Sequence, residues 1–380
     1  MVNQYGKPDL QQAIDVFTAH GSVSAGARAL GIHRSTFHSR LNEARRKGLT
    51  PQVQRLISAE PAAAPEGYRL RGTSTLFGED GTAKLQWVKT QADQDAIERM
   101  QKAAWTALAA TLPPLERIAR PRTVNAALAN LYTITDAHVG ALAWDRETGA
   151  DWDLTIAERV LTETVIHMID SAPAAAVGIV NQLGDYLHFD SLQPMTPTHH
   201  FILDADSRYQ KVVEAAVRIL RRVIERALSK HAQVMVYMHE GNHDPAGSVW
   251  LRIMFAQLYG NNPRVAVEKS PNPYVAYQHG LNFIGFHHGH LSKKEKLPLL
   301  FAAKYPEMWG ATKYRVIHCG HLHNVVEQEH AGINVVQHAT LAAPDAYAAR
   351  SGYLSKRQIV SHTYHKAHGE ISRGIFVPQE

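Results

Sequence analysis

The chain has 380 residues, 45% apolar and 20% charged, which is ordinary for a globular protein and enough for two domains or one large domain with an appendage. A single cysteine, Cys319, excludes an intrachain disulfide and fits a reducing compartment. The formal net charge is +5, and neither a signal-peptide pattern nor an apolar run near the roughly 18 residues of a membrane span is present, so a soluble, cytoplasmic protein with no membrane partner is expected.

Most of the charge excess lies at the start, where residues 1–60 hold eight Lys or Arg against four acids. Such a block points to a polyanion partner. Residues 8–47 read as three short helices. Leu10, Ala13, Ile14 and Phe17 form an apolar face at helical spacing that ends at His20-Gly21. Ser22 to Leu30 gives a second helix stopped by Gly31, and Arg34 to Arg46 a third with Phe37 and Leu41 facing inward. The small Ala27, the turn at Gly31 and the apolar Ile32 resemble the helix-turn-helix of resolvase-like and Fis-like DNA-binding modules. The resemblance implies a DNA partner. It puts Arg34, Ser35, Thr36, His38 and Arg40 on the exposed face of the recognition helix, with Arg45, Arg46 and Lys47 placed to neutralise phosphates. A three-helix bundle used for protein contact or homodimerisation is the alternative.

Domain 1–48 is followed by a tether, 49–67, containing Pro51, Pro61, Pro65 and an Ala-rich run. A connector, 68–123, comes next. Tyr68 to Leu76 and Ala83 to Val88 flank Gly78-Glu79-Asp80-Gly81 as a hairpin, and Gln91 to Leu112 reads as a helix stopped by Pro113-Pro114.

From about Val124 to the end, apolar strand-like runs alternate with helical ones, Trp152–Ser171, Arg208–His231 and Ser248–Tyr259, which predicts an α/β domain over 124–380. Arg218, Arg221, Arg222, Arg226 and Lys230 on the second helix read as a solvated face, and Gln358–His365 with Glu370–Val377 as a terminal hairpin. Five of the apolar runs end in small-residue turns carrying Asp, Asn or His. Leu131–Thr135 leads into Asp136-Ala137-His138, and Val177–Leu183 into Gly184-Asp185. Val234–Tyr237 leads into Gly241-Asn242-His243-Asp244, Leu281–Phe286 into His287-His288-Gly289-His290, and Arg315–Cys319 into Gly320-His321-Leu322-His323. Loops at strand C-termini are where ligand sites collect in α/β folds.

These five blocks, in this order, resemble the calcineurin-like metallophosphoesterase superfamily. The resemblance implies a β-sandwich flanked by helices and a pair of divalent metals, Mn²⁺ first, with Fe²⁺, Zn²⁺ or Mg²⁺ as alternatives. Two such ions about 3.5–4 Å apart hold a phosphoryl oxygen and generate hydroxide near neutral pH. By the same resemblance Asp136, His138 and His323 hold the first ion, Asn242, His288 and His321 the second, and Asp185 bridges them. His243 would assist the leaving group as general acid, with Asp244 orienting its ring. His188 and Asp190 lie where relatives often carry an acidic residue or a His. His290 reads equally as a phosphate contact or a surface residue, His199 and His200 as a solvated loop, and His239, His318 and His338 as packing residues.

A metal-dependent phosphodiesterase acting on DNA, similar in chemistry to SbcD-type nucleases, unites the two ends of the chain. No capping-domain or ATPase-binding signature accompanies the metal blocks, so no ATPase partner is implied. A helix-turn-helix joined to this core is similar to uncharacterised phage and prophage proteins. Protein phosphatases of the superfamily read Gly-Asp-x-x-Asp-Arg-Gly, and the arginine is missing after Asp185 here. A cyclic-nucleotide or dinucleotide phosphodiesterase, and a DNA-binding regulator with a silent metal site, remain as alternatives.

Overall fold

A computed structural model describes residues 7–49, 68–77, 83–92 and 118–378. The chain divides into two compact units, residues 1–112 and 113–380. The described residues of the first unit include three helices, α1 (Lys7–His20), α2 (Val23–Ala29) and α3 (Arg34–Arg46). Ser22 caps α2 by accepting the Ala25 N–H at 3.2 Å. Ala13, Ala27, Phe37 and Leu41 meet in one buried cluster, and Leu10, Ile14 and Ala44 in another, as the helical spacing required. Strands β1 (Tyr68–Phe77) and β2 (Ala83–Ala92) pair antiparallel. Gln91 and Ala92 therefore finish a strand, whereas the sequence reading started a helix at Gln91. The rest of that helix and the 49–67 tether, apart from Leu49, lie outside the described residues.

The second unit is a sandwich of two sheets. One has the order β13-β12-β3-β4-β5-β6, built from β3 (Asn125–Ile134), β4 (Ala175–Gln182), β5 (Gln233–Met238), β6 (Val265–Val267), β12 (Ile359–His365) and β13 (Gly369–Phe376). The other has the order β10-β11-β9-β8-β7, built from β7 (Val275–His279), β8 (Asn282–Phe286), β9 (Tyr314–Cys319), β10 (Val326–His330) and β11 (Ile333–Gln337). Strands β3, β4, β5 and β6 run parallel, as do β8, β9 and β11. Parallel neighbours need long crossovers. Helices α4 (Leu154–Ser171), α5 (Tyr209–Lys230) and α6 (Pro245–Leu258) supply them in the first sheet.

Between the sheets, Leu131, Ile179 and Tyr237 of one face meet Ile284, Phe286, Val316 and Val336 of the other. The outer face of the second sheet is covered by Leu297 and Phe301 of α7 (Leu297–Lys304), which pack on Phe283, Ile317 and Cys319. No helix among the described residues is long and apolar enough to cross a membrane.

The basic residues of α5 correct the expectation of a merely solvated face. Arg218 forms a two-pronged ion pair with Glu158 of α4, at 2.9 and 2.7 Å, and Arg226 meets Asp170 at 2.5 Å. Arg221 reaches Glu225 on its own helix at 2.8 Å. The exposed pairs of Arg218 and Arg226 contribute at most about 1 kcal/mol each, so they orient α5 on α4 more than they stabilise it. Beneath them lies a buried polar contact. His231, with no exposed surface, donates Nδ1–H to the Ala175 carbonyl at 2.8 Å and accepts the Tyr132 hydroxyl at Nε2, also 2.8 Å.

Burial pushes His231 down to about 4. The unfolded chain then binds a proton that the folded chain refuses as pH falls from about 6.5 towards 4. Stability attributable to this residue is complete above the ordinary histidine range and is lost on acidification, by roughly 3 kcal/mol in full. Urea unfolding midpoints between pH 7 and pH 4 should fall accordingly, and less steeply in His231→Gln; an equal slope in the variant assigns the effect elsewhere.

Candidate metal centre

All five turns singled out by sequence emerge from the C-terminal ends of β3, β4, β5, β8 and β9, so the two sheets deliver them to one end of the sandwich. Backbone hydrogen bonds tie the turns together. Asp136 N–H donates to the Gly184 carbonyl at 3.0 Å, His138 N–H to Asp185 at 3.1 Å, and Gly320 N–H to His288 at 2.7 Å.

The side chains form two groups. Asp136, His138 and His323 bring their ligand atoms within 4.8 Å of one another, and so do Asp185, His288 and His321. His323 Nε2 lies 3.3 Å from Asp136 Oδ1, and His288 Nε2 lies 3.1 Å from Asp185 Oδ2 and 3.9 Å from Asp136 Oδ1. His288 thus links both groups. Asp136, Asp185 and His288 are fully buried, whereas Asn242, His243, His321 and His323 border solvent.

The backbone is distorted here. Asp136, His138, Asp185, His321 and His323 have φ of 50°, 43°, 46°, 76° and 56°. Left-handed conformation in a residue other than glycine costs of order 1–3 kcal/mol and clusters at functional sites. Five such residues, all of them singled out by sequence as ligands, converge in one place. The approach of the loops also demands glycine. A Cβ on Gly241 would sit 2.0 Å from Asp185 Oδ1, and one on Gly184, at φ 97°, 2.5 Å from His288 Nδ1.

Electrostatics match the packing. Burial opposes charge on Asp136 and Asp185, but facing histidines hold both below the usual carboxylate range, His323 and His288 for Asp136 and His288 above all for Asp185. Burial disfavours a charged His288 too, yet the Asp185 and Asp136 carboxylates push it up to about 10. His138 is driven well below the ordinary range by burial and by its neighbour His243, and burial takes His188 to about 3.

These residues fit divalent metals. Mixed carboxylate, amide and imidazole donors suit Mn²⁺, Fe²⁺ or Zn²⁺. The buried atoms Asn242 Oδ1 and His321 Nδ1 have no hydrogen-bond partner among the described residues. His138 Nε2 and His323 Nε2 face each other at 3.2 Å, and a shared cation satisfies two such lone pairs better than one proton does.

Asp244 does not orient the His243 ring. Its Oδ2 accepts the Tyr186 and Leu187 N–H groups at 2.8 and 3.0 Å, and its Oδ1 accepts Gly241 N–H at 3.0 Å. The carboxylate clamps one loop to another, although burial and the nearby Asp185 raise it to about 7. His243 is held instead by the His188 carbonyl, 2.8 Å from its Nδ1. Sequence adjacency suggests a dyad, but the Asp244 side chain is buried and turned to the backbone amides of the neighbouring loop.

His188 lies within the cluster, its Nδ1 3.2 Å from His138 Nδ1 and its ring stacked on His243 at 5.5 Å. Asp190 serves the start of α6 by accepting Ala246 N–H at 2.8 Å. Thr135 and Thr340 went unnoticed in the sequence. Thr135 Oγ1 donates to Asp136 Oδ2 at 2.6 Å, and Thr340 Oγ1 to the Asp136 carbonyl at 2.5 Å. A hydroxyl beside the first Asp was a readable signal for Thr135; nothing local marked Thr340. His290 has a buried Nδ1 and its ring 5.2 Å from that of His288, whereas His199 and His200 are exposed.

On α3, Arg34, Ser35, His38, Arg45, Arg46 and Lys47 are exposed and Thr36 is half-buried. Arg40 departs from the expected exposed face: it is half-buried and paired with Asp9 at 3.6 Å, because α1 packs over that side of α3. Lys47 is paired with Glu43 at 3.2 Å.

No protein-family model and no curated protein matches the chain. Solved structures do. They include the phosphoesterase Yfce from E. coli (15% identity, TM-score 0.33, 64% of this chain and 98% of that one) and a dimetal phosphatase from Danio rerio (10%, TM-score 0.36, 66% and 99%). A novel archaeal phosphodiesterase is similar at 13% identity and TM-score 0.31, covering 65% of this chain and 99% of its own.

An imidazole nitrogen that binds a metal must be free of its proton, and the Asp185 and Asp136 carboxylates favour a proton on His288. Loading should therefore release on the order of one proton, and affinity should rise with pH towards 10. Calorimetric titration of Mn²⁺ in buffers of different ionisation enthalpy measures this. Heats independent of buffer would show that His288 is not displaced from its proton.

Proposed function

We propose that this chain is a metal-dependent phosphodiesterase that cleaves DNA. Asp136, His138 and His323 would hold one divalent ion, Asn242, His288 and His321 a second, and Asp185 both. The observation that carries the reading is the convergence of these residues, five of them in left-handed conformation, at one end of the sandwich. Bound there, the ions supply Lewis-acid polarisation of a phosphoryl oxygen and lower the pKa of a water. Oxygen and imidazole donors favour Mn²⁺.

The protein's own groups account for the rest. His243 borders solvent, and in its imidazolium form it donates Nδ1–H to the His188 carbonyl and keeps Nε2–H for the departing oxygen. Asp244, through three backbone amides, fixes the loops that carry Asp185 and Asn242. Burial disfavours a proton on His138 and His188, so neither has to lose one before it meets a cation. DNA as substrate rests on the basic α3, where Arg34, Arg45 and Arg46 stand exposed.

Supercoiled plasmid with Mn²⁺ should be relaxed or linearised, and EDTA or Asp185→Ala should abolish the reaction. His243→Ala should bind metal normally and lose about 10²–10⁴-fold in turnover. Intact plasmid beside rapid hydrolysis of a small chromogenic diester would replace DNA with a nucleotide or cyclic nucleotide as substrate. No hydrolysis of either would leave a regulator with a silent site.

Replacing both Arg45 and Arg46 by Ala tests the N-terminal module. DNA cleavage at moderate salt should weaken and its salt dependence flatten by about two phosphate contacts. Hydrolysis of the small diester should not change. Equal loss on both substrates would make the module structural.

A further inference from the structure

A second histidine cluster lies inside the sandwich and belongs to neither group above. His318 stands on β9, His338 directly after β11, and His362 on β12, so the first two come from one sheet and the third from the other. All three are at most 3% exposed. Their ligand-capable nitrogens lie within 4.8 Å of one another, and the ring centroids are 4.8–5.6 Å apart. Packing alone accounts for a buried His that is hydrogen-bonded at both nitrogens. It does not account for His362, whose Nε2 is buried and has no hydrogen-bond partner among the described residues.

The outer atoms have the form of metal support. His362 Nδ1 is 3.1 Å from Glu370 Oε1, and His318 Nε2 is 2.8 Å from the Tyr364 hydroxyl. Metal-bound histidines commonly place the distal ring nitrogen on a carboxylate or a similar acceptor, which fixes tautomer and orientation. That leaves His318 Nδ1 and His362 Nε2 turned inward, with His338 Nε2 2.8 Å from His318 Nδ1. Around a tetrahedral zinc with bonds of about 2.0–2.1 Å, nitrogens sit roughly 3.3–3.5 Å apart. One contact must open by half an ångström or so and the longer ones close. Charge is provided for as well. Glu370 is also held by Arg373, and Arg373 binds Glu327 at 2.6 and 2.8 Å, so two carboxylates face one guanidinium behind His362.

We propose that His318, His338 and His362 form a third, structural metal site of the zinc type that joins the two sheets. Three imidazole nitrogens suit Zn²⁺, and a buried nitrogen-only set disfavours Mn²⁺ or Mg²⁺. Burial keeps His318 well below the ordinary histidine range and His338 at about 3, so neither needs to lose a proton before binding.

The test uses the full chain carrying His138→Ala, Asp185→Ala and His321→Ala, which takes a ligand from each group at the end of the sandwich. After equilibration with Zn²⁺ and gel filtration, one zinc per chain should remain. Its X-ray absorption should show a first shell of imidazole nitrogens at about 2.0 Å. Adding His362→Gln should remove that zinc. Adding Glu370→Gln instead keeps all three imidazoles, and should weaken zinc about 10–100-fold against a chromophoric chelator. A folded chain that retains no zinc would overturn the proposal, as would zinc held through carboxylate oxygen or zinc indifferent to both added substitutions.

Discussion

The site depends on one buried carboxylate. Asp244 accepts N–H groups from Tyr186 and Leu187 on one loop and from Gly241 on its own. The two loops carry Asp185 and Asn242, and they approach so closely that no side chain fits at Gly241. Three charge-assisted hydrogen bonds in a dry environment are among the stronger local contacts a protein makes. Together with the His138 and His243 N–H groups, which donate to the Asp185 carbonyl and carboxylate, they hold Asp185 in its left-handed conformation.

Around that clamp, charge is distributed by burial. Two carboxylates and several imidazoles share a largely buried volume, and the uncharged forms are favoured unless a partner is close. His288 has such partners in Asp185 and Asp136 and keeps its proton, whereas His138 and His188 face other imidazoles and shed theirs. A cation held between Asp136 and Asp185 would take over the role of the proton on His288, which would link metal affinity to pH.

The sandwich repeats the theme in its interior. His231 beside Tyr132 is a fully paired buried histidine and explains itself by packing and hydrogen bonds. His318, His338 and His362 are not fully paired in that sense, and the residue left over, His362, is the one that crosses from sheet to sheet. On the outside, the Arg218–Glu158 and Arg226–Asp170 pairs orient α5 against α4, the helices of the β4–β5 and β3–β4 crossovers.

The sequence by itself determined the element types and the places where chemistry collects. Apolar runs of strand length ending in Gly-Asp, Gly-Asn-His or Gly-His-x-His are local patterns, and they stand at the ends of β3, β4, β5, β8 and β9. The inward faces of α1 and α3 were legible for the same reason, since helical spacing alone sends Leu10, Ile14, Phe37 and Leu41 to one side. Partnerships between distant segments were not legible. Asp244 neighbours His243 in sequence yet bonds to amides 57 and 58 residues away. Arg40 looked free until α1 brought Asp9 to it, and His362 had no special mark in its strand until two other strands brought His318 and His338 beside it. Hydrogen bonds and ligand sets depend on which surfaces meet, and periodicity records only which way a residue faces; that decision belongs to the tertiary structure.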